Sequence, residues 1–481
     1  MSNQQVDVII VGAGISGIGA AYHLQEKCPQ KSYVILEGRD ALGGTWDLFR
    51  YPGIRSDSSM LTMAYGFKPW RGTKVTAEGA SILNYVREVA IENGIDQHIH
   101  YGQQVAHAEW SSADATWTLQ TGAGETYTCN FLLTCAGYYN YKAGYSPEFN
   151  GRERFNGTIV HPQAWPENLN YADKQVVVIG SGATAVTLIP KLAKEAAHVV
   201  MLQRSPTYMR AMPNEDPFAV RAHKLLPGRW ADRLMRWRSI AFGQYFYRQA
   251  RAKPEQVKQL MIDLVREELP PDYDIDTHFT PTYNPWDQRV CLVPNGDLFE
   301  SIRAGTASVV TDHIDTFTEN GILLKSGNSL DADIIVTATG LNLEVMGGID
   351  FIVDGQAVDF AETITYKGLM CSDVPNMVVT FGYINASWTL GVDLTAEYVC
   401  RLLNHMDEAN MRQCTPRLQD ADNMTTQPWV TNFSSGYMQR SMHLMPKQGE
   451  SKPWINTQNY WQDKKFITRA PIEDGVLVFE A

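Results

Sequence analysis

Val8-Ile9-Ile10-Val11-Gly12-Ala13-Gly14-Ile15-Ser16-Gly17 is the stretch on which the fold turns, and Val176-Val177-Val178-Ile179-Gly180-Ser181-Gly182-Ala183-Thr184-Ala185 repeats it. Each is an apolar run of strand type that breaks into closely spaced glycines. A strand, a glycine loop and a helix in that order cradle a pyrophosphate on the helix N-terminus. The residue that closes the next strand, about twenty positions on, then reads the ribose. After the first loop that residue is Glu37, whose carboxylate accepts from ribose hydroxyls. After the second it is Arg204, followed by Ser205, and a guanidinium there suits a 2′-phosphate. The pair therefore reads as two dinucleotide sites, the first of FAD type and the second of NADPH type.

Working outward, residues 6–37 and 174–204 each read strand–loop–helix–strand. Alternating segments at Thr116–Gln120 and Glu125–Asn130 predict a small antiparallel excursion, closed by a buried strand at Phe131–Cys135 and by Ala136-Gly137. Ile334–Thr337 with Ala338-Thr339-Gly340 mirrors that exit in the second half. The fold class is α/β: two doubly wound, Rossmann-like dinucleotide-binding domains with a mostly helical insertion. The expected division is an FAD-binding domain over 1–145 and 376–481, an NADPH-binding domain over 146–211 and 287–375, and a helical cap over 212–286. A strand is predicted over Asn376–Phe381, a helix over Leu390–Met406, and an ordered wrapping tail from 409 onward.

The insertion is basic. Between Arg221 and Lys253 nine Lys or Arg face one acid, Asp232. Trp230, Leu234, Trp237 and Ala241 recur at helical spacing, with Phe242, Tyr245, Phe246 and Tyr247 beyond. One reading is a cap over a roomy apolar substrate tunnel that also touches anionic membrane surfaces. The other is an amphipathic helix packed on the core with a solvated basic face.

The chain has 481 residues and a net charge of −12, which allows two or three domains and argues against general affinity for nucleic acid. Met1–Gln5 lacks the basic and apolar regions of a signal peptide. No apolar run reaches the ~18–20 residues of a membrane span. Seven scattered cysteines without a CxxC pair fit a reducing compartment and weigh against a dithiol disulfide reductase. The expected location is the cytoplasm, with peripheral membrane contact through 221–253, as a monomer or loose homo-oligomer. No HExxH is present, His98 and His100 read as structural, and no metal is expected. GxSxG and Walker-type loops are absent as well.

Three further segments narrow the chemistry. Gly43-Gly44-Thr45-Trp46 runs on to Tyr51-Pro52-Gly53 and Asp57. Paired glycines let backbone approach a flat ligand, and Trp46 can pack on a ring. Phe155-x-Gly157-x-x-x-His161-x-x-x-Trp165-Pro166 lies on the linker between the nucleotide units. Asn284-Pro285-Trp286-Asp287-Gln288-Arg289 carries an Arg that, in a dry cleft, can hold a developing oxyanion.

Together these segments resemble the type I Baeyer–Villiger monooxygenases within the flavin-dependent monooxygenases. Trp46–Arg50, Gln203–Tyr208 and Asn385–Trp388 are similar to the ethionamide-activating branch of that family. The resemblance implies FAD and NADPH as cofactors, a peroxyflavin formed with molecular oxygen, and conversion of ketones to esters or lactones with sulfoxidation of thioethers alongside. It implies Arg289 as the catalytic arginine and Asp57 as the carboxylate that tunes it. Gly12, Gly14, Ser16, Gly17, Glu37, Gly44, Thr45 and Trp46 would bind FAD. Gly180, Ser181, Gly182, Thr184, Arg204 and Ser205 would bind NADPH, while His161 and Trp165 would couple the domains. The better-known branches often place Lys immediately before the catalytic arginine, where this chain has Gln288. NADPH preference then rests on Arg204, worth about 1–3 kcal/mol as a charge-assisted contact. Two alternatives remain at this level: an N- or S-oxygenating flavin monooxygenase, and an FAD redox protein or NADPH oxidase that inserts no oxygen.

Overall fold

The computed structural model describes residues 3–72, 74–419 and 424–481. Met1 and Ser2 of the polar start, and four residues of the tail, lie outside the described residues. β1 (Asn3–Val11) passes through the first glycine loop into α1 (Ile15–Lys27) and returns as β2 (Tyr33–Leu36), parallel to β1. Val8, Ile9 and Ile10 are fully buried, as expected of a strand covered on both faces. Because side chains alternate along a strand, Val8 and Ile10 enter the core that contains α1. Ile9 and Val11 enter the opposite core with Trp110 and Trp117.

That second core is closed by the antiparallel excursion. β3 (Val105–Ser111), β4 (Thr116–Thr121) and β5 (Thr126–Thr134) form a meander, and β5 returns parallel to β1. The second unit repeats the plan with β6 (Gln175–Ile179), α2 (Ala183–Leu192) and β7 (His198–Gln203). With β8 (Ala307–Thr311) and β9 (Ile334–Thr337) it makes a five-stranded sheet, ordered β8-β7-β6-β9 and then Thr158–Val160. All its pairings are parallel. Two doubly wound units in one chain are therefore present, as the glycine loops predict.

The return crossing differs from the expected one. The sequence reading places 350–375 in the second unit, yet β10 (Asp350–Val353) pairs in parallel with β3 of the first sheet. Gln356–Ala357 then adds antiparallel to β10. The reason is packing. β3 offers an open sheet edge, and Phe351 fills the space against Trp117, ring edge to face at 5.9 Å. β11 (Met377–Val379) lies beside β5 on the first sheet, within the strand predicted over 376–381.

The insertion is helical: α3 (Pro217–Leu225), α4 (Gly228–Ala252), then Pro254–Arg266 and Ile275–Phe279. Its aromatic stripe departs from the expected tunnel lining, while the helix is amphipathic and packs on the core with a solvated basic face. Trp230, Trp237 and Tyr245 are 64%, 58% and 61% exposed, so they do not line a tunnel. α4 attaches through its other side, with Ala231, Met235 and Ile240 buried. Arg236 fixes it to the first unit by donating to the carbonyls of Thr62 and Ala64 and pairing with Asp393 at 3.1 Å.

α5 (Trp388–Glu408) packs along α1, its buried face carrying Leu390, Leu394, Leu402 and Leu403. The tail is ordered where described. Gln413–Pro416 pairs antiparallel with Leu477–Glu480, and Tyr460–Thr468 is helical.

Candidate active site

Both glycine loops end in helices without a side-chain cap. Gly14 and Gly182 are the N-caps of α1 and α2, and neither first turn has a side-chain acceptor. The free N–H groups of those turns are what a pyrophosphate needs. The glycines themselves are required on the strand side. A Cβ on Gly12 would sit 2.7 Å from the carbonyl oxygen of Cys135, and one on Gly180 2.4 Å from that of Ala338. At Gly182 a Cβ would meet nothing within 4 Å, so the loop opens to free space where the phosphate would lie.

Facing the first loop is the Gly43–Gly44 turn. Both residues have positive φ, at 119° and 54°, a region that suits glycine. The Gly14 Cβ position would lie 3.7 Å from Gly44 Cα, so two side-chain-free surfaces oppose each other across a slot. Trp46 packs on Met60, Met63 and Ile82 beside it. Ser16 is buried and accepts from the Trp388 indole N–H at 2.8 Å, which ties α5 to the loop. Thr45 Oγ1 lies 3.4 Å from the Tyr141 hydroxyl.

Glu37 is buried and already accepts two backbone N–H groups, from Ala13 at 2.8 Å and Arg39 at 2.9 Å. Burial pushes its carboxyl above the usual range, against the pull of those donors. Each oxygen retains a second acceptor site on the cleft side. Arg39, absent from the sequence reading, pairs with Asp47 at 2.9 Å and stands beside Glu37 in the cleft wall.

Arg289 and Asp57, 232 positions apart in the chain, meet at 2.7 Å (Nη2 to Oδ2). Asp57 raises the already high guanidinium pKa, so Arg289 keeps its charge at any working pH. The loop that presents it is clamped from two sides. Asp287 pairs with Arg251 of α4 at 2.6 Å, and its carbonyl accepts from Ser434 N–H at 2.6 Å. Trp286 is held at φ 70°, a left-handed conformation unusual for a bulky residue. Three tyrosines missed by the sequence reading surround the pair. The Tyr138 and Tyr139 hydroxyls are 3.1 Å apart, and Tyr437 lies close enough for Arg289 to act on its phenol, whose pKa burial raises. Tyr138 and Tyr139 follow the Ala136-Gly137 strand exit, where ligands of such sheets lie; that position was the available signal. Tyr437 lies in the tail, where no pattern pointed to it.

One cleft collects these groups. It spans about 1910 Å³, counting space open to solvent. Gly12, Gly14, Ser16, Glu37, Gly44, Thr45, Trp46, Asp57, Thr184 and Arg289 all line it. Thr184 contributes from the second unit and lies beside the Tyr51 phenol, which burial pushes up to about 12. Gly17 instead packs behind the loop, where a Cβ would collide with the Gly12 carbonyl. Gly180, Ser181, Gly182, Arg204 and Ser205 lie outside this cleft at the mouth of the second sheet. Ser181 Oγ reaches Thr207 Oγ1 at 2.9 Å and Ser205 O at 3.2 Å, which joins the loop to the segment bearing Arg204. Arg204 is exposed and has no acidic partner among the described residues.

His161 sits at the junction of the units. Its Nδ1 accepts from Gln163 N–H and its Nε2 reaches Gly340 O, both at 3.2 Å. A Cβ on Gly144 would overlap the ring. Burial lowers its pKa, which matches the neutral tautomer these contacts require. Trp165 packs on the core of the second unit. All seven cysteines are buried and unpaired.

A family model described as pyridine nucleotide-disulphide oxidoreductase matches residues 9–218, from the first glycine loop through the second. The chain is 52% identical to the FAD-containing monooxygenase EthA of Mycolicibacterium smegmatis, over 99% of this chain and 97% of that one. It is 50% identical to EthA of Mycobacterium tuberculosis over 99% and 98%. Among solved structures, an oxidized steroid monooxygenase bound to NADP superposes with a TM-score of 0.79 at 21% identity, covering 99% and 100% of the two chains. An open form of cyclohexanone monooxygenase gives 0.76 at 18%, covering 100% of both. With that identity sustained along nearly its whole length, the chain belongs to the FAD-containing monooxygenases.

Proposed function

We propose that the chain uses NADPH and molecular oxygen to insert one oxygen atom beside a ketone carbonyl, and that it also oxidises thioethers. The observation that carries this reading is the Arg289–Asp57 pair, 2.7 Å apart in the cleft lined by the first glycine loop and by Thr184. The balanced reaction takes ketone, oxygen, NADPH and a proton to ester or lactone, NADP⁺ and water. When bound, FAD supplies the redox chemistry that activates oxygen, and the residues in place fit it. Gly12, Gly14 and the first turn of α1 would hold its pyrophosphate, Glu37 its ribose, and the Gly43–Gly44 turn and Trp46 its flat ring. Ser181, Gly182, Arg204 and Ser205 would hold NADPH.

This chain's own contribution to the chemistry is charge placement. Arg289 is a permanent cation paired with Asp57, with the Tyr437 phenol nearby. A cation fixed before reaction stabilises a developing oxyanion without reorganisation. A ketone adduct passes through such an oxyanion, whereas simple sulfur oxygenation does not, so the pair favours the ketone reaction over an N- or S-oxygenase. The exposed Arg204 guanidinium supports NADPH as the reductant. We further propose the domain roles already outlined, with the first sheet for FAD, the second for NADPH, and His161 and Trp165 coupling them.

The test is product mass spectrometry with NADPH, heavy-labelled oxygen gas and a long-chain methyl ketone. The expected product is an ester carrying one heavy oxygen. A labelled sulfoxide from a thioether, with no ester from any ketone, would establish the N- or S-oxygenating alternative. NADPH consumed entirely as hydrogen peroxide would establish an oxidase.

A further inference from the structure

The outer face of the helical insertion has an apolar surface that the rest of the fold does not cover. Eight of the thirteen exposed large apolar side chains among the described residues fall between 218 and 245. On α4 four of them form one stripe. Trp230, Leu234, Trp237 and Tyr245 are spaced by four, three and eight residues, which is one side of a 3.6-residue helix. Leu225, at the end of α3, is 75% exposed and extends the surface.

Cations frame this stripe. Arg221, Lys224, Arg229 and Arg233 are exposed and have no acidic partner among the described residues. Arg233 lies over the Trp230 ring at 5.9 Å. Arg238 is partly neutralised by Asp216, at 2.5 Å. The nine cations against one acid over 221–253 stand out in a chain whose net charge is −12. The surface is also firmly mounted, since Arg236 bonds to Thr62 and Ala64 and Ile240 enters the main core.

We propose that this face docks on a lipid bilayer surface rich in anionic headgroups. The chemistry matches on both counts: Trp, Leu and Tyr suit the headgroup–acyl boundary, and unpaired Arg and Lys beside them attract anionic lipid. α4 would lie in the plane, since no helix among the described residues is long and apolar enough to cross a membrane. A nucleic acid would satisfy the cations but leave the Trp and Leu stripe in water. A second copy docked by a two-fold axis would set this face against itself, cation against cation. The Met60–Met63 turn links the face to the cleft: α4 packs on it, and Met63 also lines the cleft. Resting on the monooxygenase reading, the substrate class that fits is an apolar ketone or thioether that partitions into the bilayer.

Vesicle flotation with the full-length FAD-loaded protein tests the docking without turnover. Phosphatidylcholine vesicles with phosphatidylglycerol should carry the protein at low salt, at least tenfold more than phosphatidylcholine alone. Salt should release it, because the headgroup attraction is screened. Replacing both Trp230 and Trp237 by Ser, or both Arg229 and Arg233 by Glu, should each cut flotation at least tenfold. Unchanged FAD content and melting temperature would show that both variants fold. Equal flotation by the wild type and the folded variants would overturn the proposal, as would no flotation on anionic vesicles. A dimer that these substitutions dissolve, without vesicle binding, would overturn it in favour of a second copy of the chain.

Discussion

Arg289 is only 29% exposed, and its one acidic partner, Asp57, is 38% exposed. A charge held there acts on whatever oxyanion forms in the cleft. Arg289→Ala should therefore lower kcat for ester formation by about 10²–10³-fold while FAD stays bound, read by product assay and flavin absorbance. Ester made at a near wild-type rate would remove Arg289 from the chemistry. At the proposed NADPH site, Arg204 is exposed. Arg204→Ala should raise KM for NADPH by about 5- to 150-fold, the effect of ~1–3 kcal/mol, with little change for NADH. Equal effects on both would rule out a phosphate reader. These proposed roles were readable from the sequence because they rest on short motifs: a glycine loop with a charged residue about twenty positions later, and a resemblance carried by local signatures. Tyr437 was not, because a side chain brought near Arg289 from 148 positions away leaves no local pattern. Nor were the backbone contacts of Glu37, since donors such as the Ala13 N–H have no sequence signature.

The glycine loops were readable as elements because their geometry excludes other residues, and the two glycines of the second loop separate that cause from ligand binding. Gly180 has φ 131° and a Cβ there would press on the Ala338 carbonyl. Gly180→Ala should destabilise the second unit by about 2 kcal/mol or more, seen as a lower melting temperature without any nucleotide. Gly182 has ordinary φ and empty space around it. Gly182→Ala should leave the ligand-free melting temperature unchanged and raise KM for NADPH, because the new methyl occupies the phosphate's place. A lowered melting temperature for Gly182→Ala would show that the loop glycines serve only the fold. The α4 stripe shows the limit of reading elements from period. Trp230, Leu234 and Trp237 have the spacing of a core-facing helix. Periodicity reports that a face is apolar, not what covers it, and here the helix buries a different side, through Ala231 and Met235.

For the whole molecule, the two-unit plan was legible from its repeated loops, but the return to the first sheet was not. β10 carries no glycine loop and joins β3 through Phe351 packing, a long-range contact that a local reading does not contain. The junction itself has a pH signature. His161 is neutral in the fold with its pKa lowered by burial. An unfolded His near 6.5 binds the proton first, so His161 contributes stability above that value and loses it as pH falls through the lower folded value. His161→Gln should flatten the acid side of the melting-temperature profile, and an unchanged slope would exclude this contribution. The tail is held to the first unit by a different device. Lys367 has a side chain 1% exposed, roofed by the Tyr366, Tyr398 and Phe466 rings, and its ammonium pairs with Asp474 at 3.0 Å. Asp474 also accepts from the Tyr366 hydroxyl at 2.6 Å. Removing the carboxylate leaves a buried cation unmatched, and breaking a pair of this kind costs about 3–5 kcal/mol. Replacing both charges by uncharged groups removes the mismatch itself. Asp474→Asn should therefore unfold at markedly lower denaturant, whereas Lys367→Met combined with Asp474→Asn should recover most of the loss. If the double variant is as unstable as Asp474→Asn alone, the Asp474 contact with Tyr366, and not the ion pair, holds the tail in place.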